Sequence, residues 1–403
     1  MGAIADIRHL YHLTKLWDMS NEKKRSGEIQ LGYFFRKSGL LWLLSLFTLC
    51  AVGAEAQIGW IPPKGQSLRE SLKMTEPLSF CNEQVPLDET DVQERLEREL
   101  LVALDQRDTV ILWLKRVNRY FPHIEKALRD NSLPDDLKYV VITESGLRPL
   151  AISHKGAAGF WQFIESTGNR YGMKIDSHID ERRNLFVSTD AAIKYFKDLY
   201  TLFGSWTLAA AAYNMGEDGL LTEILMQKEN SFYHLFLNDE TQRYVFKVLA
   251  AKMILSNPEH YGFSLTEDDL YKPLQFERVQ ITVDQSVPLY IISKASNTYF
   301  KTIKDLNPHI KNYYLHAGQH DLLLPLGSSP GFFERYGKLL QEYRDEKNKS
   351  IYTVKKGETL SEIAKRFNVS IKAILLWNGI MNANHISSGD KLLIFSHTET
   401  ITR

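Results

Sequence analysis

The spacing of apolar residues changes at Pro258, and that change restricts what the chain can build. Upstream, from residue 91, the period is helical: Leu96, Leu100, Leu101 and Leu104 recur at one-turn intervals. The pattern runs on through residues 110–128, across Pro122, and glycine and proline then mark helix ends up to Pro258. This block reads as all-helical. Downstream, FERVQITV at residues 276–283 alternates like a strand, residues 288–307 read as two short helices, and residues 320–326 as a returning strand. Residues 351–395 repeat the order more compactly: strand (IYTV), turn (KKGE), helix (TLSEIAKRF), helix (IKAILLWN), loop and strand (KLLIF). The expected architecture is therefore mainly α, a helical domain followed by small α+β modules of βααβ order. Residues 276–327 are a degenerate copy of the later module.

Proposed boundaries follow from composition. Residues 1–56 form an N-terminal extension ending in an export segment, and 57–88 a tether rich in Pro, Gly and Ser. Residues 89–262 form the helical domain, 276–327 the first module, 328–350 a linker holding a charged helix, and 351–396 the second module. In the export segment, Arg36 and Lys37 precede an apolar run at 40–52, and Ala54-Glu55-Ala56 follows. That is the order of a signal peptide. The run is short for a spanning helix, which needs roughly 20 residues. A cleaved signal and an uncleaved membrane anchor both remain open. Leu49 before Cys50 does not suit lipidation.

The 49 basic and 49 acidic residues cancel, which argues against nucleic acid as the main partner. Cys50 and Cys81 are the only cysteines, too few for a disulfide framework or a cysteine-based metal site.

Chemistry concentrates around one carboxyl. In residues 132–146, Ser132 can cap a helix, Pro134 suits its first turn, and Gly146 with Pro149 ends it. Within it Leu137, Val140, Val141 and Glu144 fall at i, i+3, i+4 and i+7, so Glu144 lies on the apolar face. Desolvation and the negative end of the helix dipole both disfavour its ionisation. A carboxyl that stays protonated near neutral pH suits a glycosidic leaving group. A helix-end glutamate turned to solvent is the competing reading, and from this helix alone it is favoured. Three further segments shift the balance. Gly156-Ala157-Ala158-Gly159-Phe160-Trp161-Gln162-Phe163 sets small residues beside aromatics, which stack on sugar faces. Asp180-Glu181-Arg182 is a charge cluster before a helix. Ala210-Ala211-Ala212-Tyr213-Asn214-Met215-Gly216 ends a helix with a tyrosine and an asparagine. Singly these read as a core turn, a solvated ion pair, and a core tyrosine with a capping asparagine.

Together and in this order, over roughly residues 91–259, they resemble the lytic transglycosylases with the goose-lysozyme-like fold. With the C-terminal modules the resemblance is to the membrane-bound D branch. It implies Glu144 as acid and base with Ser145 supporting it, Gln162 in contact with sugar, Tyr213 orienting substrate or Glu144, and Asn214 holding nearby backbone or substrate. Phe160, Asn184 and Met215 stand where Leu, Asp and Ala are common, which bears on subsite detail. No second catalytic carboxylate is evident in these motifs, and the family's answer is assistance by the substrate's own acetamido group, with no metal or cofactor. The implied partner is peptidoglycan glycan, and membrane association would run through the N-terminal apolar segment.

The second module resembles a LysM domain in Tyr352-Thr353-Val354, Gly357-Glu358-Thr359-Leu360, Ile363-Ala364, Phe367, Trp377-Asn378 and Gly389-Asp390-Lys391-Leu392. This implies a glycan groove with Gly357, Thr359 and Leu360 on one lip and Met381, Asn382 and Ile386 on the other. A purely structural module is the competing reading. Ile363, Phe367 and Leu375 read as core. The first module lacks the glycine turn and is read as structural. Three functions stay open: transglycosylase, hydrolytic muramidase, and a silent glycan-binding scaffold. Retention of Glu144, Gln162, Tyr213 and Asn214 argues against the last.

Overall fold

The computed structural model describes residues 72, 77–380, 382 and 386–395. The extension, the apolar run at 40–52, most of the tether, and Met381 lie outside the described residues. Among the described residues no helix is long and apolar enough to cross a membrane.

The last part of the expected tether is folded onto the helical domain. A hairpin of β1 (Ser79–Phe80) and β2 (Glu83–Gln84) buries Phe80 and the following Val85 in the main core. Glu83 accepts hydrogen bonds from the Thr207 N–H and the Ser205 hydroxyl, both at 2.9 Å. It thus caps the start of a helix more than a hundred residues away. Cys81 is buried and free.

The helical domain comprises α1 (Thr90–Asp105), α2 (Arg107–Asp130), α3 (Val140–Ser145), α4 (Glu165–Arg170), α5 (Leu185–Phe203), α6 (Trp206–Met215), α7 (Glu217–Gln227) and α8 (Asp239–Ser256). On α1, Leu96, Leu100 and Leu104 face inward while Leu101 is exposed, so the buried stripe follows i, i+4, i+8. Residues 135–139 form a 3-10 turn leading into α3, and Ser132 is no cap: it sits at φ +58° in the turn that ends α2. Ala209 to Ala212 on α6 are fully buried, and their small side chains let α5 and α8 each pack closely on α6. α8 is buried on most of its circumference, with Val245, Phe246, Val248 and Leu249 at zero exposure. An ion pair of the buried Glu99 with the half-buried Arg243, at 2.6 Å, ties α1 to α8.

The first module pairs β3 (Glu277–Val283) with β6 (Gly318–Leu324) and β4 (Val287–Pro288) with β5 (Tyr314–Leu315), all antiparallel. α9 (Leu289–Ala295) and α10 (Phe300–Leu306) lie between them in sequence. The second pairs β7 (Ile351–Thr353) with β8 (Lys391–Leu393), enclosing α12 (Leu360–Phe367) and α13 (Ile371–Asn378). One device recurs in both. Asn307 accepts from the Leu323 N–H at 2.9 Å and donates to the Leu323 and Ile303 carbonyls. Asn378 makes the same three bonds with Leu393 and Ile374. Each asparagine locks the second helix of its module to the last strand, and Asn307 corresponds to Asn378.

The segment expected as a linker is not a free spacer. Its helix α11 (Phe332–Lys349) buries Phe332, Tyr336 and Tyr343 in the first module's core. That core also takes Ile179 from the helical domain, through a bridge of Ile179 with Ile310 and a 2.8 Å bond from the Asp180 N–H to the His309 carbonyl.

Candidate active site

Glu144 sits one residue from the end of α3. Gly146 stops the helix at φ +56°, and a side chain there would come within 2.9 Å of the Trp113 indole. The carboxyl reaches the floor of a cleft of about 760 Å³ between α3, the loop after residue 151, the α6–α7 junction and α8. Desolvation pushes it up to about 7. The nearby Glu240 carboxylate adds to the rise, while a hydrogen bond from Tyr244 and the charge of Lys247 oppose it. Helices this short carry little dipole, so burial is the cause that matters.

The phenol that meets Glu144 is Tyr244, which donates to its Oε1. Tyr213, expected from the sequence to be available for that role, instead donates to the Trp161 carbonyl at 2.7 Å, and its ring stacks on Phe196 at 4.7 Å. It still lines the cleft. Glu240, Tyr244 and Lys247 fall at i, i+4 and i+7 on α8, so one helix face supplies the whole electrostatic surround of Glu144. Sequence reasoning missed all three. The spacing was legible, but nothing in it said that this face turns toward residue 144. Thr143 was missed too; it lines the cleft with its hydroxyl buried and unpartnered.

The remaining expected residues hold the cleft wall. Ser145 is buried and donates to the Phe160 carbonyl at 2.6 Å, which fastens α3 to the loop rather than touching Glu144. Gln162, at φ +50°, spends its amide N–H on the Gly159 carbonyl at 2.8 Å and reaches Ala151 at 3.2 Å, while still lining the cleft. Asn214 accepts from the Thr241 hydroxyl at 2.8 Å and donates to Glu240 at 3.4 Å, joining the end of α6 to the start of α8. Phe160 and Trp161 are not free for stacking on sugar. Both are at 2 % exposure or less, with the Trp161 N–H bonded to Thr189 at 2.9 Å. Gly159 is required, because a side chain there would lie 1.7 Å from the Arg182 carbonyl. The Asp180–Arg182 pair is buried rather than solvated, and Arg182 donates onward to the carbonyls of Gly156 and Phe163. Asn184 caps α5 through the N–H groups of Phe186 and Val187.

In the second module Gly357, at φ +84°, and Thr359 are exposed, and Thr359 forms a reciprocal cap with Glu362. Leu360 is buried in the module core, so its side chain cannot line a groove. Ile386 packs against that same core, and Asn382 is exposed. Glu358 accepts from the Tyr352 hydroxyl and the Lys355 N–H and pairs with Arg366, which holds its carboxyl at about 2.

The chain is similar to several known proteins. The Transglycosylase SLT domain family matches residues 121–236, and the LysM domain family matches residues 289–320 and 352–395. The chain is 31 % identical over 293 residues to membrane-bound lytic murein transglycosylase D of Escherichia coli (strain K12), covering 69 % of this chain and 64 % of that protein. It thus spans under two thirds of that relative's length. It is 33 % identical over 119 residues to a putative tributyltin chloride resistance protein of Alteromonas sp. (strain M-1), covering 29 % of this chain and 58 % of that one. The 70 kDa soluble lytic transglycosylase of Escherichia coli superposes with a TM-score of 0.32 at 17 % identity, over 42 % of this chain and 30 % of that one. This chain therefore carries a region matching the Transglycosylase SLT domain family, followed by two regions matching the LysM domain family.

Proposed function

We propose that the chain is a lytic transglycosylase of peptidoglycan, cleaving the β-1,4 bond between N-acetylmuramic acid and N-acetylglucosamine. The observation that carries this reading is the position of the Glu144 carboxyl, on the floor of the cleft and hydrogen-bonded by Tyr244, where desolvation pushes its pKa up to about 7. Protonated, it gives its proton to the glycosidic oxygen as the bond to the anomeric carbon breaks. The 2-acetamido group of the muramic unit stabilises the electron-poor carbon. Glu144, now a carboxylate, takes the proton of the C6 hydroxyl as that oxygen bonds to the anomeric carbon. The product is a 1,6-anhydromuramoyl end, no water is consumed, and Glu144 finishes protonated. Tyr244 holds the carboxyl in place and favours its ionised form midway, while Lys247 adds a favourable charge.

Gly357, Thr359, Asn382 and the backbone beside Leu360 and Ile386, with Met381, would hold wall glycan at the second module and keep the enzyme on its substrate. A cell-envelope location follows from that substrate. Membrane attachment would fall to the apolar run at 40–52.

A hydrolytic muramidase is the second reading, and Glu240 favours it as an exposed carboxylate in the same cleft. Mass spectrometry of products from purified sacculi separates the two. Anhydro ends lack one water relative to reducing ends. Reducing ends alone would overturn the transglycosylase.

A further inference from the structure

The first module is docked on the helical domain by main chain as well as by side chains. The His178 carbonyl accepts from the Lys311 N–H, and the Asp180 N–H donates to the His309 carbonyl, both at 2.8 Å. These bonds bracket the Ile179–Ile310 bridge, so residues 178–180 and 309–311 form a short antiparallel pair across the border. Ile179 is 6 % exposed, and its side chain belongs to the core of the module rather than to that of the helical domain. Around it Lys311 donates to the Asp176 carbonyl at 2.9 Å, Asn312 reaches the Ser177 carbonyl at 3.3 Å, and the His178 and His316 rings stack at 3.5 Å. The receiving loop is itself fixed, because Asp176 accepts from the N–H groups of His178 and Ile179, both at 2.7 Å.

From this joint a run of buried contacts leads to the cleft. The Asp180 carboxylate takes two bonds from the Arg182 guanidinium, at 2.8 and 3.0 Å, and both residues are buried. The Nη1 group of Arg182 donates to the Gly156 and Phe163 carbonyls at 3.0 and 3.1 Å, the two ends of the turn that carries Gln162. The Arg182 carbonyl lies directly against Gly159, where a side chain would come within 1.7 Å of it. The same turn accepts the Ser145 hydroxyl at the Phe160 carbonyl and so fixes the residue that follows Glu144. Ala157, Gln162 and Phe163 line the cleft.

A buried ion pair tolerates little displacement. Moving Asp180 leaves Arg182 charged, buried and unpaired, and its hold on the turn goes with it. Close-packed contacts of this kind shift together rather than yield one by one. Asp180 is fastened on its outer side by the module's His309 carbonyl, so the joint is where the module can act on the acid.

We propose that the first module is a positioning element of the active site: docked through residues 309–312 on residues 176–180, it holds the Asp180–Arg182 pair and, through it, the turn at 156–163 and Glu144 in the reacting arrangement. Ile179, Asp180 and Arg182 are the positioning residues. The proposal rests on the reading of Glu144 as acid and base, and adds to it a role in turnover for a module whose sequence lacks the glycine turn of the later one.

The test is steady-state cleavage of soluble, uncrosslinked peptidoglycan strands by the full chain and by Ile179→Asp and Ile179→Val. The aspartate puts a charge where the module core receives the loop, and the valine keeps an apolar plug. Ile179→Asp is expected to lower kcat about tenfold with KM within about twofold, because a misplaced acid costs turnover more than binding, and Ile179→Val is expected to stay within about twofold in both. Wild-type kcat in Ile179→Asp overturns the proposal. So does a rise in KM alone, which would make the module part of substrate binding, or an equal loss of kcat in Ile179→Val. Thermal melts identify a variant that has failed to fold. If Ile179→Asp is one, Lys311→Ala with Asn312→Ala, both exposed, takes its place with an expected loss of about threefold in kcat, and an unchanged kcat there overturns the proposal. The wild-type chain reports separately on the enzyme reading. A wild type that cleaves no wall strikes that reading, whereas a wild type that cleaves beside an equally active Ile179→Asp strikes only the positioning role.

Discussion

Among the described residues Glu144, Glu217 and Glu358 each accept a hydrogen bond from a tyrosine hydroxyl, and the first and last of these carboxyls are pushed toward opposite ends of the range. Glu144 receives Tyr244 in the cleft and is pushed up to about 7. Glu358 receives Tyr352 at the surface of the second LysM module and is held at about 2. The phenol favours the ionised form in both. What differs is the remaining environment. Around Glu144, water is displaced and Glu240 stands near; around Glu358, the Lys355 N–H and the Arg366 guanidinium add to the phenol. A hydrogen bond therefore tunes a carboxyl, and desolvation decides its class. Burial favours the protonated form of the first, and hydrogen bonds with an ion pair favour the ionised form of the second.

The comparison can be broken most directly at Glu144. Glu144→Gln keeps shape and loses the proton, and wall cleavage should fall by about 10³-fold or more. A variant clearing sacculi at the wild-type rate would remove Glu144 from the mechanism. The wild type should lose kcat/KM as pH rises through about 7, because the required protonated form is depleted there.

The same substitution should raise stability. A carboxyl with a raised folded pKa binds more protons folded than unfolded between roughly pH 4 and 7, so wild-type stability falls across that window as pH increases. Glu144→Gln should thus be more stable than wild type by about 2 kcal/mol at pH 8, and no more stable below about pH 4. Paired melts at the two pH values would show the difference; equal gaps at both would mean that Glu144 is not desolvated.

Tyr244→Phe sharpens the comparison by removing the phenol alone. The Glu144 carboxyl should rise further, moving the alkaline limb of the pH profile upward, and turnover should drop about tenfold as the carboxyl loses its fixed position. A limb that stays put would separate Tyr244 from Glu144. Glu358→Gln is the mirror test with the smallest effect. The depressed pKa of Glu358 means that its contribution is present at neutral pH and is lost as pH falls through about 2. The variant should melt slightly earlier in the LysM region at pH 7, with wall cleavage in the catalytic domain unchanged. A stability difference that is no smaller at pH 2 would contradict the ionised assignment.

The mainly helical class and the change to βααβ units were legible because hydrophobic period is a local property, set within each element. The apolar-face position of Glu144 was legible for the same reason, even though a 3-10 turn precedes its short helix. Other roles were misread where the partner is distant. Phe160 and Trp161 look like sugar platforms beside glycines, but the core claims them. Leu360 looks like a groove lip, but its side chain fills the module interior. Residues 328–350 look like a spacer because their charges are conspicuous, while Phe332, Tyr336 and Tyr343 bind the helix to the first module.

By itself, then, the sequence determined the elements, their order, and which carboxyl would lie against apolar neighbours. Only the tertiary structure decided that Tyr244, a hundred residues on, is the group that meets Glu144, and that Glu240 and Lys247 stand beside it. Periodicity assigns a side chain to a face of its own helix. Which faces meet depends on how eight helices pack together, and it is that packing which excludes water and sets the charge around the acid.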